Sequence, residues 1–371
     1  MTDAPTLDRD WSLARFFAKQ LSGSALINRK NISIITILLT YRCPAACDHC
    51  VFESNPQNKT HLDMAVAYKL VEAAARQSPP PVLGFSGGEP FVRKAEMRAL
   101  AAFAAERGMA SEVVSSSAWV KSRAHAAEVL ADLKSVGLET YCTSVDRFHT
   151  PFVKAEKMRW ALQGAHDAGL RAIINFQVSG DSAPVTEEEA IRDVAGLLSM
   201  EESEVRTFQV NPLITTPVGR ARTNVQNFHY DASKDMREGC PMATEVVTLS
   251  PLGLLYPCCG MVVGEKPERA DLFIQDSLAT RSVDEIAEIL DDLKDDLFFK
   301  LLQYFGPYRI LTELQRRVPG LKIADRYVGA CDACLEFTTN PAIAQAAREM
   351  LAEFGTVLES LEMETLEVAA E

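Results

Sequence analysis

Three cysteines stand close together in Thr40-Tyr41-Arg42-Cys43-Pro44-Ala45-Ala46-Cys47-Asp48-His49-Cys50, at spacings of four and three residues. Three thiolates in one loop can converge on one metal centre but leave a fourth position open. A structural zinc site takes four protein ligands and a closed shell. A [4Fe-4S] cluster held by three cysteines instead leaves one iron to a small molecule, and ligation of such clusters is commonly cysteinyl. A second set comes late in the chain: Cys240, the pair Cys258-Cys259, and Cys331 with Cys334. Four of these five can close a tetrahedral site around a second cluster, and a four-cysteine zinc site is the other reading of the same residues. One thiol is left over. Cys142 stands apart in an apolar run and reads as a core residue.

The elements that must position these groups can be read from periodicity. Apolar β-rich runs recur at Ile34 to Leu39, Val82 to Phe85, Glu112 to Ser115, Glu139 to Thr143, Arg171 to Val178 and Arg206 to Pro212. Between them Leu62 to Arg76, Lys94 to Arg107 and His125 to Val136 show apolar residues at three and four spacing, and Gly108, Gly137 and Gly169 close helical segments. Thr60-His61-Leu62-Asp63 predicts a capping box for the first helix. Strict strand and helix alternation implies right-handed crossovers and a parallel sheet, doubly wound or rolled into a full or partial barrel. Chemistry then belongs at the carboxyl ends of the strands, and the cysteine loop directly follows the first. After about Pro217 the alternation stops. A hairpin is expected over Thr244 to Pro257, turning at Ser250-Pro251-Leu252-Gly253, followed by mostly helix in a second module. Ser282-Val283-Asp284-Glu285 predicts a capping box opening a helix in which Val283, Ile286, Ile289, Leu290, Leu293 and Leu297 share a face.

The cysteine loop resembles that of the radical S-adenosylmethionine (SAM) superfamily. There a Gly-Gly-Glu-Pro segment follows the second strand, and here Gly87-Gly88-Glu89-Pro90 follows Val82 to Phe85. The resemblance implies that Cys43, Cys47 and Cys50 hold a [4Fe-4S] cluster whose open iron chelates the amino and carboxylate groups of SAM. It implies that Gly87, Gly88, Glu89 and Pro90 meet the methionine ammonium, the glycines letting backbone carbonyls approach and Glu89 adding an anionic acceptor. His49 takes the place of an aromatic residue stacking near the adenine. Ser115, Ser144, Asp146, Gln177 and Arg220 fall at the strand ends that bind the SAM ribose and carboxylate. Cys240, Cys258, Cys331 and Cys334, with the hairpin between the first two, resemble the ligands of twitch or SPASM auxiliary domains, which hold a second [4Fe-4S] cluster.

Tyr256-Pro257-Cys258-Cys259 narrows the resemblance to the YydG-type radical SAM peptide epimerases. In these the first cysteine of the pair ligates the auxiliary cluster and the second donates a hydrogen atom. The segment from Ser144 to Lys154 and the closing Cys331-Asp332-Ala333-Cys334 resemble the same family, whereas Ser115-Ser116-Ser117 departs from its Ser-Asn-Gly. The similarity runs from about Ile34 to Phe337. It implies a partial (β/α)6 barrel over residues 31–225 and an auxiliary [4Fe-4S] domain over 226–340. An extension over 1–30, expected to cap the barrel, and a C-terminal helix with an acidic tail over 341–371 complete the chain. It also implies L-to-D epimerisation of a ribosomal precursor peptide, with electrons from a flavodoxin or ferredoxin-like donor. Cys259 is then the catalytic thiol. An exchange of roles between Cys258 and Cys259, or Cys259 as a buried apolar cysteine, is the competing reading of the pair. Peptide cross-linking, by a C–C or thioether bond, is the alternative within enzymes. A non-catalytic iron-sulfur or zinc protein that binds peptide is the alternative outside them.

Composition sets the bounds. The 371 residues suggest two or three domains, and 47% apolar with 24% charged residues is an ordinary soluble balance. Met1-Thr2-Asp3-Ala4-Pro5 lacks the features of a signal peptide, and no run approaches about 18 apolar residues, so a reducing cytoplasm and no membrane partner are expected. Nine cysteines, an odd count, then argue for metal ligation or redox chemistry over disulfides. With 38 basic against 51 acidic residues the net charge of -13 disfavours nucleic acid. The acidic runs at Asp291 to Asp296 and Glu349 to Glu371 read as a solvated helix face and a solubilising tail.

Overall fold

The computed structural model describes residues 31–180, 185–230, 239–258 and 276–354. The expected extension over 1–30, Cys259 and the end of the acidic tail lie outside them. Strand β1 (Ile34–Leu38) is followed by helix α1 (Met64–Ala74), β2 (Val82–Ser86), α2 (Lys94–Ala105), β3 (Ser111–Ser115), α3 (Arg123–Lys134) and β4 (Leu138–Ser144). The alternation continues with α4 (Ala155–Asp167), β5 (Arg171–Val178), α5 (Glu187–Leu198), the short α6 (Glu202–Val205) and β6 (Gln209–Ile214). These six strands pair in parallel, each with the next in sequence. They form the expected α/β partial barrel. Helices cover the sheet, so the strands run as near-continuous apolar stretches, with Ile35, Ile37, Leu83, Val113 and Ile174 fully buried. Each such side chain contributes about 1.5–3 kcal/mol by its removal from water.

Local signals set the helix ends. Asp63 is the N-cap of α1 and accepts from Ala65 N at 2.9 Å, so the cap lies three residues beyond the expected Thr60 and the box expected at Thr60 to Asp63 does not form. Thr60 is occupied elsewhere: its carbonyl accepts from Tyr41 N and from Thr40 Oγ1, which ties the segment to the cysteine loop. Gly108, Gly137 and Gly169 follow their helices with positive φ, as expected. The sixth strand begins three residues later than expected, because Arg206 is the C-cap of α6.

Beyond the short helix α7 (Ala221–Asn224), the hairpin forms where the sequence places it, from β7 (Val246–Leu249) and β8 (Leu254–Tyr256). Its position is new information. Strand β7 lies parallel to β1, and β8 with β9 (Asp276–Ser277) extends the same sheet in the order β6-β5-β4-β3-β2-β1-β7-β8-β9. Helix α8 (Val283–Asp292) opens with the expected reciprocal capping box of Ser282 and Glu285 and buries Ile286 and Leu290. It ends before Leu297, which starts α9 (Leu297–Arg317) rather than continuing the α8 face. Helix α10 (Ala330–Thr339) carries the last two cysteines, and residues 341–354 form the helix expected after it. Among the described residues no helix is long and apolar enough to cross a membrane.

Candidate functional site

The cysteine loop leaves the carboxyl end of β1 and is fixed from two sides. From β2, Gly88 N donates to Thr40 O at 2.7 Å and Glu89 N to Arg42 O at 2.9 Å. The two backbones approach so closely that a Cβ on Gly88 would lie 2.2 Å from Arg42 O. From the segment after β6, Arg220 N donates to Cys50 O at 3.0 Å, and the guanidinium donates to Cys47 O and Ser54 O at 2.7 Å each. A Cβ on Gly219 would lie 2.3 Å from Val51 O. The glycines of Gly-Gly-Glu-Pro are therefore required by the cysteine loop itself, a different reason from the approach to an ammonium inferred from the sequence.

The loop closes one wall of a cavity of about 180 Å³. Cys43, Cys47, Cys50 and His49 line it from the loop, Gly87 and Gly88 from the end of β2. Ser115, Ser144 and Gln177 reach it from β3, β4 and β5, as the strand-end rule predicts. The thiols are the unusual groups here. Burial pushes Cys43 up to about 12 and Cys47 higher still, with the charges of neighbouring cysteines adding to the effect on Cys47. Cys43 and Cys47 so placed become thiolates only against positive charge in the cavity, which is what cluster iron would supply.

Four of the expected contacts serve the site from behind. Glu89 is fully buried and accepts from Ser115 Oγ at 2.9 Å, Ser116 N at 2.9 Å, Phe91 N at 3.2 Å and Ser116 Oγ. Burial raises its carboxyl above the ordinary range, and those bonds oppose the rise. These bonds tie the segment after β2 to the end of β3. Pro90 is buried as the first residue of a 3-10 turn. Arg220 holds the cysteine loop. Asp146 has no exposed surface and accepts from Phe148 N and from His149 N and Nδ1. Burial alone would raise the Asp146 carboxyl, but the His149 hydrogen bond and charge hold it below its usual value.

His149 lines the cavity in its place. Its ring stands 4.9 Å from that of His49, which in turn lies 4.6 Å from Phe148. Burial, then His149, pushes His49 down to about 4, so it is a neutral aromatic surface. Phe148 escaped the sequence reading, although it lies inside the segment after β4 that carried the resemblance.

The later cysteines gather around Cys334. Its thiol is driven well above its usual value by burial first and then by the charges of Cys331, Cys240 and Cys258. Cys240 is seated by a break in α9. Gly306 has φ 70° and ψ 162°, and Pro307 follows it, so no backbone N–H of residue 307 reaches the carbonyl of Gln303. Beside the break Cys240 N donates to Leu302 O at 2.8 Å, and Gly239 fits only because it has no Cβ, which would lie 1.6 Å from Gln303 O. Among the described residues, His49, Asp146 and His149 have ligand atoms all within 4.8 Å of one another.

Residues 37–194 match the family model described as the Radical SAM superfamily. The putative peptide biosynthesis protein YydG of Bacillus subtilis (strain 168) is 24% identical over 231 residues, covering 62% of this chain and 70% of that relative. Fe-coproporphyrin III synthase of Methanosarcina barkeri (strain Fusaro / DSM 804) is 31% identical over 170 residues, 45% of this chain and only 40% of the synthase. Among solved structures, native anSMEcpe with bound AdoMet and Cp18Cys peptide is similar with a TM-score of 0.50 at 11% identity, over 90% of this chain and 100% of that one. That last likeness is one of fold.

Proposed function

The chain carries a radical SAM domain over residues 37–194, and from that premise we propose that it modifies a ribosomally made peptide by converting L-residues to D-residues. Cys43, Cys47 and Cys50 are the residues to hold the open [4Fe-4S] cluster, and Cys240, Cys258, Cys331 and Cys334 a second one. When bound, the reduced open cluster with SAM supplies a 5′-deoxyadenosyl radical able to take a Cα hydrogen. Everything else falls to the chain's own residues. Gly87, Gly88 and the Arg220 staple hold the cysteine loop so that its sulfurs face one cavity. His49 on Phe148 offers an apolar aromatic face to a nucleoside, and His149, oriented by Asp146, offers a hydrogen-bonding atom beside it. Cys259 gives its S–H hydrogen to the opposite face of the planar carbon, so that one Cα–H bond is broken and another formed. The sulfur is then restored by one electron and one proton from a donor of the flavodoxin or ferredoxin class.

The observation that carries this reading is the partition of the cysteines. Three line the barrel cavity, four gather around Cys334, Cys142 is buried in β4, and Cys259 remains, adjacent in sequence to a member of the second set. The similarity to a protein named for peptide biosynthesis supports the substrate class. The domain division at 225/226 is kept as an organisational proposal, with β7 to β9 joined to the barrel sheet. The test is anaerobic reaction with the precursor peptide followed by mass spectrometry. Epimerisation leaves the mass unchanged in water and adds one deuterium per event in D2O, whereas a cross-link removes two hydrogens.

A further inference from the structure

Beside the cysteine cavity lies a larger one of about 410 Å³. Gln177 lines both, so the two adjoin at the carboxyl end of β5. The larger cavity reaches from β5 to α5 and combines an apolar wall, Phe176, Val178 and Leu197, with the charged side chains of Arg147, Arg192 and Asp193. Arg192 already acts on Glu188 and Glu189 of its own helix. Arg147 is different. Among the described residues its guanidinium meets no carboxylate; it donates to Ser179 Oγ and lies 5.0 Å over the ring of Phe148. That ring is the one packed on His49, so Arg147 is held at the boundary between the two cavities. A guanidinium has five N–H donors in a planar fork, and a single hydroxyl leaves most of them for a ligand.

In a chain with net charge -13, arginines such as Arg98, Arg107 and Arg206 pair with the chain's own acids, Asp132, Glu72 and Glu188. A cation left without one, at a cavity that adjoins the reaction site, is suited to an anion arriving from outside. Neighbouring Cα atoms of a peptide are about 3.8 Å apart, so one extended chain can fill both cavities with adjacent residues. We propose that the larger cavity receives a residue of the peptide substrate next to the one that reacts, and that Arg147 binds a carboxylate there. The apolar wall takes the stem of that residue and the guanidinium its charged end. The carboxylate is either an Asp or Glu side chain or the carboxyl terminus of the peptide. This inference rests on the reading of the protein as a peptide-modifying enzyme and names a specificity residue for it.

The test separates binding from catalysis. A random heptapeptide library, made once with amidated and once with free carboxyl termini, is selected on the cluster-loaded, unreduced full chain with SAM, and in parallel on Arg147→Gln. Enrichment of Asp or Glu by about tenfold over Arg147→Gln in the amidated library identifies a side-chain carboxylate. A similar advantage confined to free termini identifies the terminal carboxylate. Equal recovery of both libraries by the two proteins overturns the proposal. Should Arg147→Gln fail to fold, Asp193→Asn decides, because removing the cavity's own acid must raise acidic enrichment above wild type, and no rise overturns the proposal. Formation of 5′-deoxyadenosine by the reduced wild type is assayed separately. Its failure would count against the enzyme reading, whereas the library result bears on the cavity.

Discussion

Nδ1 of His149 lies 2.9 Å from one carboxylate oxygen of Asp146 and 3.0 Å from the other, and Asp146 has no exposed surface. The buried carboxylate orients the ring through Nδ1, leaving Nε2 as the other polar atom of a residue that lines the cysteine cavity. A contact on the cavity surface is thus set by a residue that never reaches it. Asp146→Asn keeps an oxygen for the backbone donors but removes the charge that orients the ring. We expect the SAM dissociation constant to rise about tenfold, the equivalent of one hydrogen bond of about 1.4 kcal/mol. Equilibrium dialysis on the cluster-loaded protein measures it. Unchanged affinity would show that His149 takes no part in holding SAM.

Two glycines should each control one cluster. The Cβ added in Gly88→Ala meets the backbone carbonyl of Arg42, and the one added in Gly239→Ala meets that of Gln303, in both cases far inside contact distance. Neither carbonyl is at the end of a flexible side chain, so the cysteine segment must move. Each variant is expected to bind about four irons where the wild type binds about eight, two four-iron clusters' worth. Iron and sulfide determination after anaerobic reconstitution reads the result. Full loading of both variants would contradict the account of how the cysteines are seated.

Cys142 gives a pH dependence away from either group of cysteines. Burial, followed by the charge of Glu112, raises its thiol to about 12, whereas an unfolded cysteine ionises at about 8.5. The folded pKa is the higher, so the stabilising contribution is complete below pH of about 8.5 and is lost as pH climbs towards 12. The loss approaches about 1.4 kcal/mol per pH unit within that window. Cys142→Ala removes it, and its denaturation midpoint should fall less steeply than that of the wild type between pH 9 and 10.5. Parallel curves would mean that Cys142 is not shielded as the structure has it.

Much of the barrel could be read from the chain, because strand and helix periodicities are local and each α/β unit repeats them. Pairing at long range could not. Nothing in Val246 to Leu249 announces that β7 lies against β1, since an apolar strand of four residues fits any buried sheet position. Capping signals were legible to within a turn: Ser282 with Glu285 forms its box, while Asp63, expected as the far member of one, is itself the cap. At the site, spacing brought Cys43, Cys47 and Cys50 together and the family resemblance added Gly87 and Gly88, and all five line one cavity. Glu89, Asp146 and Arg220 lie where the chain order put them but spend their polar atoms on Ser116, His149 and the cysteine loop. Sequence gives the neighbourhood of such a side chain. Which of several donors it meets depends on packing among strands that are far apart in the chain.

The central claim is that Cys259 returns hydrogen to an inverted Cα. The direct measurement is reaction of the precursor peptide in D2O, by wild type and Cys259→Ala, read by mass spectrometry and chiral amino-acid analysis. The wild-type product should carry one deuterium and one D-residue per event, while Cys259→Ala still cleaves SAM but yields no deuterated D-residue. A product two hydrogens lighter, formed equally well by Cys259→Ala, would contradict it.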